Sequence, residues 1–211
     1  MTTDVGISNL ALSHLGDSAN IQDLTEPSAQ AGYCNQFYPI ALNTLLEMFP
    51  WKFATRRILL APRSDITMGS WQYVYNEPDQ CVKIWAILPD QYTRDIEEVQ
   101  EFDCETDSTG QALILTNSPN ATARYTVYVS DPAKFTPLFV EAFGWLLASY
   151  IAGPLVKGDT GAQEAVRCYQ SFLAMFARAS TSSANQRMHR VEHYPDWIKT
   201  RFARIRDVTT R

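Results

Sequence analysis

The sequence predicts an α+β fold, mainly α: a helical bundle core, a small antiparallel β domain inserted into it, and an extended C-terminal tail. Three observations predict it. Apolar residues recur at steps of three and four up to Phe49 and again after Pro132. Between these stretches the period shifts to short β-branched and aromatic runs separated by turn clusters. The last 25 residues then change in charge. At 211 residues the chain is long enough for one sizeable domain with an insert. The expected organisation is N-terminal core helices over 1–62, the inserted β domain over 63–131, C-terminal core helices over 132–186 and an extended arm over 187–211.

Residues 3–16 predict a short helix. Thr3 can cap it, Ile7, Leu10, Ala11 and Leu15 form its stripe, and Gly16 ends it. A longer helix is predicted from Pro27 to Phe49, capped by Thr25 or Ser28, kinked at Pro39 and stopped by Pro50. Its apolar face is broad, with Ala31, Cys34, Tyr38, Ala41, Leu45 and Met48 in one row and Tyr33, Phe37, Ile40 and Leu46 in a second. Such breadth suits covering on more than one side, by the core and by a neighbouring subunit. Strands are predicted at Trp71–Tyr75, Cys81–Leu88, Ile96–Phe102, Ala112–Thr116 and Thr122–Ser130, as a small sheet or barrel. Pro137 to Ile151 is apolar nearly all round and is expected to be the central buried helix, closing at Gly153–Pro154. A fourth helix, capped by Asp159 or Thr160, is expected to pack through Ala162, Val166, Tyr169, Leu173 and Phe176. It should fade into the polar run after Ala179.

The overall formal charge is −5. Seven basic and three acidic residues give 187–211 a net +4, which leaves −9 for the rest. A basic tail on an acidic body points to a separate partner for the tail. Within it, Ile198, Phe202 and Ile205 stand at helical spacing with Arg201 and Arg204 beside them, near Tyr194 and Trp197. An amphipathic segment of this kind suits a protein groove. The four cysteines are scattered, without a CxxC pair, and read as reduced thiols. The first residues lack a signal-peptide pattern. The longest apolar stretch, Leu138 to Ile151, carries Glu141 and is shorter than the roughly 20 residues of a membrane span, so no membrane association is expected.

Chemical motifs are sparse. His189 and His193 stand four apart, but no glutamate follows the first directly as in HExxH enzymes, and no cysteine nearby completes a zinc set. Asp95, Glu97, Glu98, Glu101 and Asp103 form a carboxylate cluster in a polar segment with nothing to raise one pKa. Gly153, Gly158 and Gly161 mark a helix connection, and no phosphate-binding glycine loop is present. The chain is therefore expected not to be an enzyme and to use no cofactor or metal.

Two stretches are more specific. The first runs from Ala11 to Leu60: a helix ending in Leu15–Gly16, a link, a long helix with Ala31 and Cys34, the turn Phe49–Pro50–Trp51–Lys52–Phe53–Ala54, then Arg56 to Leu60. It resembles the N-terminal signature of phage head-to-tail adaptor proteins, the tail tubular protein A family. The second, Phe139 to Ala179, is similar to that family's other helix pair. Together they cover about half the chain.

The resemblance implies a virion structural protein of the neck and tail, assembled from the host cytoplasm as a dodecameric ring under the portal. Its expected partners are the portal protein, the tail or nozzle protein below, further copies of itself, and genomic DNA passing non-specifically through the channel. The arm matches the family's portal-gripping extension in position. Tyr194, Trp197, Ile198, Arg201, Phe202, Arg204 and Ile205 are its candidate contacts, since aromatics and arginine tend to dominate interfaces. Two alternatives belong to other classes: a phage-encoded cell-wall hydrolase using the Glu97–Asp103 carboxylates, and a sequence-specific DNA-binding protein using the basic tail. Peptidoglycan turbidity with Glu98→Gln and Glu101→Gln discriminates the first, and filter binding across salt the second.

Overall fold

The computed structural model describes residues 2–18, 20–66, 69–89 and 99–186. The fold is α+β and mainly α, with four helices and two small antiparallel sheets among the described residues. Helix α1 (Asp4–His14) starts where the Thr3 hydroxyl accepts the Gly6 N–H at 3.0 Å. It ends at Gly16, whose φ of +75° lets the Gly16 and Asp17 N–H groups reach the carbonyls of Ser13 and Leu12. Both the cap and the stop fall where the sequence puts them. The Asn9 side chain then bonds both backbone groups of Ile21, which ties the following link down to α1.

Helix α2 (Ala29–Met48) is capped by Ser28, one of the two expected candidates, and runs on through Pro39. The motif after it folds into a turn whose hub is Trp51, fully buried. The indole N–H donates to the Leu45 carbonyl at 2.7 Å, and the ring meets Phe49, Phe139 and Phe176 edge-on. One side chain thus joins the end of α2 to two later helices. Beside it, the Lys52 N–H donates to the Ser183 hydroxyl at 3.3 Å.

The chain next forms β1 (Thr55–Leu59), inside the 1–62 segment expected to be helical. Its sequence, TRRIL, lacks alternation because it is an edge strand exposed along nearly its whole length. β1 pairs with β6 (Thr122–Val127), which pairs with β3 (Cys81–Leu88), all antiparallel. The second sheet orders β2 (Tyr73–Asn76), β5 (Ala112–Thr116) and β4 (Phe102–Thr106). β4 begins at the end of the run expected over Ile96–Phe102, residues 96–98 lying outside the described set. Leu60, Tyr75, Ile87, Ile114, Ala123 and Tyr125 fill the space between the sheets. Isolated bridges join Pro62 to Tyr75 and Ile87 to Gln100. These link the first sheet to β2 at one seam and to the approach to β4 at the other, in a barrel-like circuit β1-β6-β3-β4-β5-β2.

After a 3-10 turn at Pro132–Lys134, α3 (Pro137–Val156) packs against α1, α2 and α4 (Gly158–Asn185). Helix α3 does not close at Gly153–Pro154. It continues to Val156: Pro154 has no N–H to give the Tyr150 carbonyl, but the ladder resumes beyond it, with the Lys157 N–H donating to the Gly153 carbonyl. At 20 residues α3 is also longer than the apolar run read in the sequence, and its length and composition match a membrane span. Ten of its residues are buried in the fold, where three helices enclose it. Lys157 and Gly158, at φ of +61° and +62°, reverse the chain with no intervening loop. α4 consequently starts at Gly158 without a side-chain cap, not at Asp159 or Thr160, and stays helical past Ala179 to Asn185.

Candidate interaction surface

Helix α4 packs on α3 through small residues. Gly161, Cys168, Phe172, Ala179 and Ser183 are buried, and at Gly161 a Cβ would stand 3.2 Å from the Ala152 carbonyl oxygen. Close approach at that end leaves the neighbouring face of the helix uncovered. Val166, Tyr169 and Leu173 are 58%, 46% and 45% exposed, with Ala162 and Ala177 exposed above and below them. These large residues are the ones the sequence assigns to the packed face. The structure rotates that face by one position, because a surface built of Gly, Cys, Ala and Ser can be buried without looking hydrophobic in a periodicity count. Of the expected stripe, Phe176 packs against the core and Tyr169 touches the Phe172 ring from its exposed position.

Helix α2 offers a second surface. Among its twenty residues only Glu47 is charged. Its outward positions are Ala29, Gly32, Asn35, Gln36, Pro39, Ile40, Asn43, Glu47 and Met48. A solvent-facing helix nearly free of charge has the composition of an interface centre, where charged residues are depleted. Of the expected second row, Ile40 stands half exposed, Tyr33 and Phe37 are partly buried and Leu46 is fully buried. Helices α2 and α4 both pack on α3 and have little contact with each other, so the two outward faces do not merge into one patch.

The corner where α1, α3 and α4 meet is fixed by a layered cluster. The His14 ring stacks on Trp145 at 3.6 Å and 6°, with its Nε2 3.9 Å from Glu141. Arg167 lies 5.8 Å from the Trp145 ring centre and donates to the His14 carbonyl at 2.7 Å, while also pairing with Glu164. Burial holds the imidazole below its ordinary pKa; Glu141 opposes that shift and Arg167 adds to it. This is a structural joint that sets the angle of α4 and the heading of its exposed stripe.

Among the described residues, two clefts open to solvent can be described. One, of about 510 Å³, lies between α2 and the first sheet and is lined by Asn43, Glu47, Gln80, Cys81, Val82 and Tyr128. Its thiol is pushed up to about 12, chiefly by burial, so it is no nucleophile at neutral pH. The other, of about 440 Å³, gathers Asp4, Asp23 and Asp131. Asp23 accepts from Thr25 and Asp131 caps Ala133, so both already serve local turns. Among the described residues no group of three or more His, Cys, Asp or Glu side chains could hold a metal. All four cysteines are free thiols.

Of the carboxylate cluster, Glu101 and Asp103 are exposed at and beside the edge strand β4, away from either cleft. Asp95, Glu97 and Glu98 lie outside the described residues, as do His189 and His193. So do the arm candidates Tyr194, Trp197, Ile198, Arg201, Phe202, Arg204 and Ile205. The structure brings the chain to Gln186, directly after α4, where the arm follows. The surface it adds is the outward α4 stripe, whose residues the sequence names but assigns to the core. No protein-family model and no curated protein matches the chain.

Proposed function

We propose that this chain is a structural subunit of a bacteriophage head-to-tail adaptor, forming a ring under the portal and bridging it to the tail or nozzle protein. The observation that carries the reading is the outward stripe of α4, Val166–Tyr169–Leu173, on a helix whose other face is already packed. The nearly charge-free outer face of α2 supports it. Two separate unpartnered faces suit head-to-tail contacts between copies, which close into a ring when the rotation permits. The Trp51 turn supports the reading from the sequence side, since the motif that resembles the adaptor family is the hub of this core.

In this proposal the arm 187–211 grips the portal, with Trp197, Ile198, Phe202 and Ile205 as apolar anchors beside Tyr194, and Arg201 and Arg204 as charged supports. The ring is dodecameric and lets genomic DNA pass without gripping it, which suits an acidic body that repels phosphates. The protein acts in the virion neck after assembly in the host cytoplasm, as a structural part and not an enzyme.

The test is electron microscopy of the purified chain mixed with portal-bearing heads. Full-length protein should seat as a ring at the portal vertex. Protein truncated after Gln186 should stay folded by circular dichroism and fail to attach. Heads that bind neither protein overturn the adaptor reading, and equal attachment of both overturns the role of the arm.

A further inference from the structure

The charges of the β unit are sorted by sheet. In the strands of the first sheet every charged residue is basic: Arg56 and Arg57 on β1, Lys83 on β3 and Arg124 on β6. In the strands of the second sheet every charged residue is acidic: Asp103 and Glu105, both on β4. Glu101, just before β4, adds a third exposed carboxylate.

The sorting is sharpest on two strands. β1 and β4 each stand at the end of their sheet, and each is five residues long and exposed at four of them. On the edge strand β1, Arg56 and Ile58 lie toward one face and Arg57 and Leu59 toward the other, so each face sets an arginine near an exposed aliphatic chain. β4 sets Asp103 and Glu105 a few residues after the exposed Val99. Each therefore offers apolar contact next to charge, and the signs are opposite. In the circuit β1-β6-β3-β4-β5-β2 the two strands are three steps apart, on opposite sides of the β unit.

We infer that the β1 side of one copy docks against the β4 side of the next, so that the partner of each face is a second copy of this chain. Complementary faces on opposite sides of one body form a heterologous contact, which builds a ring or a filament and cannot be satisfied in a two-fold dimer. Like charges meet in any other pairing of these faces, which sets the direction of assembly as well as its strength. The inference deepens the adaptor reading and rests on it, adding the face through which copies recognise each other.

Charge exchange tests it. One full-length variant carries Arg56→Glu and Arg57→Glu, and the other carries Asp103→Lys and Glu105→Lys. All four side chains are exposed, and circular dichroism checks that each variant folds. In sedimentation velocity at low salt the wild-type chain should associate with rising concentration, and less so at about 0.5 M salt, where charges are screened. Each variant alone should associate about tenfold or more weakly, because its two faces now carry one sign. An equimolar mixture of the two should regain association, since every contact in an alternating assembly is again opposite in sign. Variants that associate like wild type, a mixture that does not recover, or a wild-type chain that stays monomeric throughout each overturn the contact. Attachment of the same preparations to portal-bearing heads reads the adaptor proposal separately. Heads that bind wild type while the exchange fails remove only this contact, and heads that bind nothing remove the adaptor.

Discussion

Helices α3 and α4 lie against each other, yet they are built on different plans. α3 is apolar through most of its length and buries ten of its twenty residues, leaving little for any other molecule. α4 has 28 residues and buries five, four of them small, while three of its larger apolar residues face solvent. One helix gives half its residues to the core and exposes large apolar side chains only near its two ends, at Leu138 and Val156. The other divides its apolar surface between the fold and solvent, and the division follows side-chain size.

Adjacent residues give the strongest way to break that comparison. Phe172 is fully buried against Tyr169 and Phe176, and Leu173, the next residue, is exposed. Phe172→Ala should cost about 3–5 kcal/mol in urea unfolding. Leu173→Ala should stay within about 0.5 kcal/mol of the parent yet weaken attachment to portal-bearing heads. Equal losses of stability would place both residues in the core and end the distinction.

A smaller loss is expected where the helices are closest. Gly161→Leu would force bulk against the Ala152 carbonyl and should destabilise by about 1–3 kcal/mol, read from the same unfolding curves. At the reversal between the helices the sign is opposite. Lys157 holds a φ of +61° with ψ of 163°, a region suited to glycine, so Lys157→Gly should raise stability by about 1 kcal/mol.

The smallest effect concerns the corner where α1 joins the pair. His14 is held below its ordinary 6.5 by burial, so the unfolded chain takes up a proton first. Its contribution to stability is complete above 6.5 and is lost as pH falls below that toward the folded-state value. Urea midpoints between pH 7 and pH 5 should show the decline, and His14→Phe, which keeps a ring against Trp145, should flatten it. An unchanged slope in that variant would assign the decline to other groups.

Much of the fold is legible in the sequence because the signals are local. Thr3, Gly16 and Ser28 mark helix ends through their own side chains or backbone freedom, and β5 and β6 begin where the β-branched runs begin. The misreadings share a cause in tertiary context. β1 lacks alternation because neither of its faces is covered, so TRRIL carries no strand period to detect. Pro154 reads as a helix stop, but α3, packed along α4, carries on past it to Val156. On α4 the count of large apolar residues selects the outward stripe, because close packing against α3 selects small ones and small residues weigh little in such a count. The same fact explains the site. Val166, Tyr169 and Leu173 are visible in the sequence as hydrophobic, but only the packing of Gly161, Cys168 and Ala179 shows them to be surplus to the core.

Helix α4 is about 42 Å long at 1.5 Å per residue, and its last turn is fastened at Ser183 to the backbone of Lys52. Lys52 stands three residues before β1, where the chain leaves the helices for the sheets. A load hung on residues 187–211 would enter the body at this root rather than at a loose helix tip. Tension would then be shared between the helical stack and the strands, so a tug from above would register in both halves of the molecule at once.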